Sequence, residues 1–263
     1  MEHWNGDWAL VTGASAGIGR EFANQLAANG LNVALVARRA DVLESLARDL
    51  SAAYGVDCLV LPMDLAEPSA AEVLWRKIEQ ARKRIRLLVN NAGTGRWGRF
   101  EKVAAIDYLQ MLAVNNGAMV ALCQTFFPHL SSFERSAVIN VSSQAALQPV
   151  PYMAAYAASK AFVQFLSLAL YEEWRQYGIH VQTLIPGPTA TEFDAKAGAY
   201  DSAVAQRGPP AEAVAAALRH LDGDEPVVAS VRGIFKQRFL SGVLPYRLLV
   251  REVAKLFRPP DET

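Results

Sequence analysis

The chain has almost no cysteine: Cys58 and Cys123 are the only two in 263 residues. Neither stands in a Cys-x-x-Cys pair or beside a His-rich cluster, which argues against a disulfide framework or a zinc-type site. Both read as small buried hydrophobes. The four histidines are scattered without ligand spacing, so no metal is expected. Net charge is missing as well. Twenty-six acidic residues balance 26 basic ones, and the basic excess that marks nucleic-acid binding is absent. No uninterrupted apolar run reaches the length of a membrane span. The opening residues, Met1 to Asp7, lack the basic start and apolar stretch of a secretory leader. A soluble cytoplasmic protein is the expectation. No repeat, low-complexity tract or domain linker interrupts the chain. What it does have is apolar residue, 52% of the total, enough for one sizeable core.

That apolar content alternates in type. Runs consistent with buried strands occur at 7–12, 32–37, 58–61, 87–90, 137–142 and 181–185. Longer segments of helical period fill the gaps, at 41–53, 70–83, 104–127 and 155–177. The rhythm predicts an α/β fold, a doubly wound Rossmann-type parallel sheet with helices on both faces, in a single domain over 1–263. Such sheets bind ligands beyond the carboxyl ends of their strands. Polar and glycine residues gather just after the strands: Gly13, Arg38, Asp64, Asn91, Ser143 and Pro186.

Two local patterns carry chemistry. Tyr156 and Lys160 stand four residues apart in a helical segment, so their side chains share one face. A cation beside a phenol favours the phenolate and is expected to lower its pKa. A tyrosine so tuned exchanges a proton with a carbonyl oxygen near neutral pH. The second pattern joins the first strand to the first helix through Gly13, Ser15, Gly17, Ile18 and Gly19. A strand, a glycine loop and a helix N-terminus present backbone N–H groups to phosphate. A tight structural turn would use the same glycines.

In order, the chain shows Thr12-Gly13, Gly17-Ile18-Gly19, Asp64-Leu65 and Asn90-Asn91-Ala92-Gly93. Asn115, Ser143, Tyr156 with Lys160, and Pro186-Gly187 with Thr191 follow. The whole set resembles the short-chain dehydrogenase/reductase family over most of the chain. The Asn140 to Ser143 stretch, Val36-Ala37-Arg38-Arg39 and the tail look like reductases of lipid-like or bulky ketones. The resemblance implies four catalytic residues. Tyr156 would donate the proton, Lys160 would lower its pKa and bond the nicotinamide ribose, and Ser143 would bond the substrate oxygen. Asn115 would hold a water on Lys160, with Asn116 as rival. Ser142 should face away from Ser143. Hydride would come from the cofactor.

The cofactor side can be read further. A carboxylate ending the second strand would bind the ribose 2′-hydroxyl of NAD. Ala37 stands there, followed by Arg38 and Arg39. A guanidinium can hold a 2′-phosphate, which predicts NADP(H) over NAD(H), with Arg38 the first candidate. Two solvated surface arginines would look the same. Asp64 and Leu65 are expected at the adenine, although Asp64 could equally cap a turn. Asn91, Ala92 and Gly93 would pass under the adenine ribose, or Asn91 would tie loops together. Pro186, Gly187, Thr189 and Thr191 would meet the carboxamide, or form a rigid turn.

The rest concerns substrate and partners. Trp97, Phe100, Tyr152 and Phe193 suggest a small-molecule carbonyl substrate with an apolar or aromatic body. Residues 192–210 read as a substrate lid or as a surface loop with one short helix. Residues 246–258 form a basic amphipathic helix, suited to a membrane surface or a partner, or packed on the domain with a solvated stripe. Ala161, Phe165, Leu168 and Ala169 could build a homodimer or homotetramer interface. The expected function is an NADPH-dependent carbonyl reductase or alcohol dehydrogenase. The alternative is an NADP-binding sensor or scaffold without turnover.

Overall fold

Alternation along each strand sorts its side chains between two helical layers. In the computed structural model, which describes residues 4–198, 207–230 and 234–259, Ala9 and Val11 face one layer. Leu10, between them, faces the other. The seven strands are β1 Trp8–Thr12, β2 Asn32–Ala37, β3 Cys58–Pro62, β4 Ile85–Asn90, β5 Ser136–Val141, β6 Ile179–Ile185 and β7 Val227–Ala229. They form one parallel sheet in the order β3-β2-β1-β4-β5-β6-β7. Order reverses between β1 and β4, so a crevice opens above the ends of these two strands.

Helices α1 Gly17–Ala28, α2 Ala40–Tyr54 and α8 Pro210–Arg219 cover one face. Phe22, Leu26, Leu43, Leu46, Val214 and Ala217 are their inward residues. The other face carries α3 Ala70–Gln80, α5 Ala118–Leu130 and α6 Ala154–Arg175. Leu74, Ile78, Leu122, Phe126 and Val163 pack there. Each fully buried side chain of this size contributes about 1.5–3 kcal/mol, which is why five of the first six strands tolerate almost no polar residue before their final turn.

Two expectations need correction. The helix expected over 104–127 is interrupted. Helix α4 Ala105–Leu112 runs into a π-turn, Ala113–Gly117, before α5 begins. An extra residue in the turn breaks the 3.6 period, and such bulges favour functional sites. A seventh strand, β7, was not expected. It has three residues and follows Pro226, too short for a period-2 signal. The chain continues through α7 Phe193–Ala197, α9 Ile234–Val243 and α10 Tyr246–Phe257. Among the described residues no helix is long and apolar enough to cross a membrane. They also hold no cluster of three or more potential metal ligands.

Candidate active site

The crevice is built first from backbone. Thr12, the last residue of β1, sends its hydroxyl to Val89 O at 3.1 Å and accepts from the Asn91 and Ala92 amides at 2.9 and 3.0 Å. Asn91 Nδ2 returns a bond to Thr12 O at 2.8 Å. Asn91 therefore ties the β1 and β4 ends together. The glycine loop closes over this knot. A Cβ on Gly19 would collide with Gly13 O and Asn91 Nδ2, so only glycine lets α1 start this close to the strand ends. The residue before α1, Ala16, offers no capping oxygen. The first N–H groups of α1 are left to an anion. Thr191 packs against Gly17, and its Oγ1 accepts from Phe193 N at 3.2 Å. Thr189 Oγ1 is engaged with Gly187 O at 2.8 Å.

The arginine that reaches this loop is Arg39. Its guanidinium donates to Ser15 O and Ser15 Oγ, both at 3.2 Å, and to Glu192 Oε2 at 3.2 Å. Arg38 is exposed and makes no side-chain hydrogen bond or ion pair among the described residues. Arg39 directly precedes α2, where the chain turns (φ −82°, ψ 92°), and the turn carries its side chain back toward β1. Asp64 is exposed and accepts from Ala66 N at 3.0 Å, while Leu65 beside it is buried.

Four candidate side chains converge beyond β4, β5 and α6. Ser143, whose Oγ accepts from Ala145 N at 3.1 Å, lies close enough to the Tyr156 phenol to lower its pKa. Lys160 Nζ donates to Val141 O at 2.9 Å and lies 6.0 Å from the Tyr156 ring centre. A Cβ on Gly93 would sit 3.3 Å from both Asn115 Oδ1 and Lys160 Nζ, which places Gly93 between them. Asn115 is locked by a reciprocal pair with Thr94, accepting from its amide at 2.9 Å and donating to its carbonyl at 3.0 Å. It also donates to Ser159 Oγ at 3.0 Å. Asn116 Nδ2 goes to Ser159 O at 2.8 Å. Ser142 is turned away from Ser143 and donates to Lys160 O at 2.8 Å. Thr12, Asn90, Asn115, Val141 and Lys160 line a cavity of about 10 Å³, room for one water molecule.

Electrostatics here depart from expectation. Burial pushes the Tyr156 phenol up to about 12; the nearby Ser143 hydroxyl lowers it and Asp194 raises it. The lysine was expected to lower this value, but desolvation wins, and the Lys160 ammonium is turned to the Val141 carbonyl. Burial likewise brings Lys160 down to about 8. The phenol thus holds its proton at neutral pH, and the ammonium loses its own just above it.

An apolar cluster packs around Tyr156 as the wall of the substrate side. Trp97, Met111, Val150, Met153, Leu249 and Val253 are buried in it. The Phe193 ring lies 5.1 Å from the Tyr156 ring and fills the space that a side chain at Gly95 would take. Trp97 N donates to Ala197 O at 2.9 Å, which fastens α7 over the cluster. Trp97 Nε1 donates to Phe257 O at 3.0 Å, which fastens α10 beside it. Tyr152 lines the same cluster with φ +65°, a left-handed conformation that a non-glycine residue adopts at a cost. Phe100 does not belong there: it is exposed and stacks on Tyr108 at 4.8 Å, because the short turn before α4 carries it outward. Residues 199–206 of the expected lid lie outside the described residues. The tail helix thus packs on the domain, one of its expected placements, but its contact with Tyr156 was not foreseen, and Arg39 stands at the glycine loop where Arg38 was the first candidate.

Comparison with known proteins agrees with this construction. The short chain dehydrogenase family model matches residues 7–201. The very-long-chain 3-oxoacyl-CoA reductase of Bos taurus is 31% identical over 196 residues, 72% of this chain and 62% of that protein. The inactive hydroxysteroid dehydrogenase-like protein 1 of Pongo abelii is 33% identical over 194 residues, 72% of this chain and 58% of that protein. This chain thus spans about three fifths of the length of the curated relatives it matches. Among solved structures, a short-chain dehydrogenase from Sphingobium yanoikuyae in complex with NADPH has a TM-score of 0.81 at 30% identity. That match covers 91% of this chain and 96% of the other. The chain belongs to the short-chain dehydrogenase family.

Proposed function

We propose that this member of the short-chain dehydrogenase family is an NADPH-dependent oxidoreductase that interconverts a bulky apolar ketone and its secondary alcohol. The reading is carried by the buried Tyr156 phenol beside Ser143, one helical turn from the equally buried Lys160. The residues present suit a dinucleotide. The uncapped start of α1 takes the pyrophosphate, and Arg39 above Ser15 takes the 2′-phosphate. Once bound, the dinucleotide supplies the hydride. Ser143 Oγ donates to the ketone oxygen and holds it at the phenol. Tyr156 gives its proton to that oxygen as negative charge develops there. Lys160 and a water held with Asn115 return a proton to the phenolate. A phenol that keeps its proton at neutral pH suits the reducing direction, and oxidation is expected to need alkaline conditions.

The apolar cluster of Trp97, Met153, Leu249 and Val253 supports an apolar substrate body, and the resemblance to a very-long-chain 3-oxoacyl-CoA reductase supports an acyl-like one. Similarity to a relative named inactive keeps a non-catalytic dinucleotide-binding role as the alternative; a pure sensor has no use for the Ser143–Tyr156–Lys160 arrangement. A homodimer through α5 and α6 completes the proposal, since Phe165 is 72% exposed and Phe162 accompanies it. The test is Tyr156→Phe with a ketone panel and NADPH. Turnover should fall roughly hundredfold to ten-thousandfold, with NADPH affinity unchanged. A kcat near the parent's would overturn the proton-donor role. Absence of turnover by the parent on every ketone would favour the sensor.

A further inference from the structure

The described chain exposes two apolar patches, and they differ in charge. One lies on α4 and α6, where Ile106, Leu109, Phe162 and Phe165 are exposed. The other lies on α9 and the corner into α10. Phe239, Leu240, Val243 and Leu244 follow one another at helical spacing on one side of α9. Phe239 is 67% exposed and Val243 64%, and Tyr246 at the corner is 73% exposed. Leu244 N bonds Leu240 O at 2.9 Å, so the helical turn continues under this face. Beside it, Arg247, Arg251 and Lys255 recur every four residues along the exposed side of α10, one continuous stripe. The opposite side of α10 carries Leu249 and Val253, buried in the apolar cluster with Tyr156.

Charge is segregated into this tail. Residues 234–263 contain six basic side chains and three acids, Glu252, Asp261 and Glu262, in a chain of zero net charge. Glu252 is paired with Lys255 at 2.6 Å, and no acid among the described residues pairs with Arg247 or Arg251. An exposed apolar face flanked by cations fits the interfacial layer of an anionic bilayer. A second copy fits poorly, because a two-fold contact would lay one basic stripe against another. We propose that the exposed faces of α9 and α10, consecutive in the chain, dock this protein on anionic lipid, with Phe239, Val243 and Tyr246 entering the interface and Arg247 and Arg251 meeting headgroups. The docked surface then lies across α10 from the apolar cluster that holds Tyr156.

Vesicle binding needs no turnover, so this proposal and the catalytic one fail separately. The full chain is sedimented with phosphatidylcholine vesicles, with and without phosphatidylserine. Binding is expected only with the anionic lipid, and it should weaken with salt. Arg247→Gln with Arg251→Gln should weaken it roughly thirtyfold. Phe239→Ser with Val243→Ser should abolish it while NADPH binding and helix content stay at the parent's level. A parent that binds neither vesicle, or basic-stripe variants that bind as the parent does, would overturn the proposal. So would a Phe239→Ser/Val243→Ser variant that turns a dimer into a monomer, which would give the patch to a second copy.

Discussion

The dinucleotide side of the crevice and the substrate side are held by different forces. Around β1 and β4, side chains are tied to main chain: Thr12 to Val89, Asn91 to Thr12, Asn115 to Thr94. Around α7 and α10 the contacts are mainly apolar packing, with two bonds from the Trp97 amide and indole and exposed ion pairs such as Lys196 with Glu192. Hydrogen bonds to main chain have direction and one register. Apolar packing has neither and tolerates repacking at constant volume. The first side is therefore built to hold one ligand in one pose, and the second can change its substrate by changing side chains.

The strongest way to break this contrast is one substitution on each side. Gly19→Val should drive α1 off the strand ends and weaken NADPH binding more than hundredfold, by roughly 3 kcal/mol or more. Leu249→Ala should cost about 2–3 kcal/mol in unfolding free energy and raise KM for bulky ketones, with NADPH affinity unchanged. Fluorescence titration and urea unfolding read both. If Leu249→Ala weakened NADPH as Gly19→Val does, the two sides would be one unit.

Lys160 stands where the sides meet, and its cost is set by pH. Its folded value of about 8 lies below the unfolded 10.5. Between those values the unfolded chain binds the extra proton, so the parent gains stability as pH rises through that window. Below pH 8 the buried ammonium carries its full penalty, up to about 3 kcal/mol. Lys160→Met should accordingly be more stable than the parent at pH 7, with the difference shrinking toward pH 10, while ketone reduction is lost. In the parent, reduction should decline above pH 8 as the ammonium is lost. Unfolding midpoints across pH and a kcat profile check both; a variant less stable at pH 7 would refute the burial penalty.

The smallest effect sharpens the boundary at the ribose. Arg39→Gln should weaken NADPH roughly tenfold to hundredfold and leave NADH alone, with the loss reduced at high salt. Arg38→Gln should do less. Equal losses from the two variants would make the exposed Arg38 an equal partner.

The contrast also explains what could be read from residues alone. Strands β1 to β6 were legible because each is an apolar run bounded by breakers, and the site residues at their ends followed. The Asn115–Asn116 pair was legible as an irregularity because paired asparagines sit badly in a regular helix, and the π-turn is the structural reason; only the family resemblance put Asn115 before Asn116. Arg38 and Arg39 could not be separated, since direction at a strand end depends on how the following helix begins. Phe100 was placed in the cluster by composition, which carries no information on the turn before α4. Nothing local in Leu249 or Val253 says that they face Tyr156, because that contact is made across most of the chain.

That span has a consequence during synthesis. The bond from Trp97 to the Phe257 carbonyl joins residues 160 apart. By the time α10 leaves the ribosome, all of the sheet and the whole dinucleotide crevice have already emerged. Domains form from the N-terminal side as they emerge, and distant contacts close last. On the proposed function, a nascent chain would thus be equipped to hold nucleotide before it could tell one ketone from another. Selectivity is the last property the molecule acquires, and a cut ahead of α9 would remove it first.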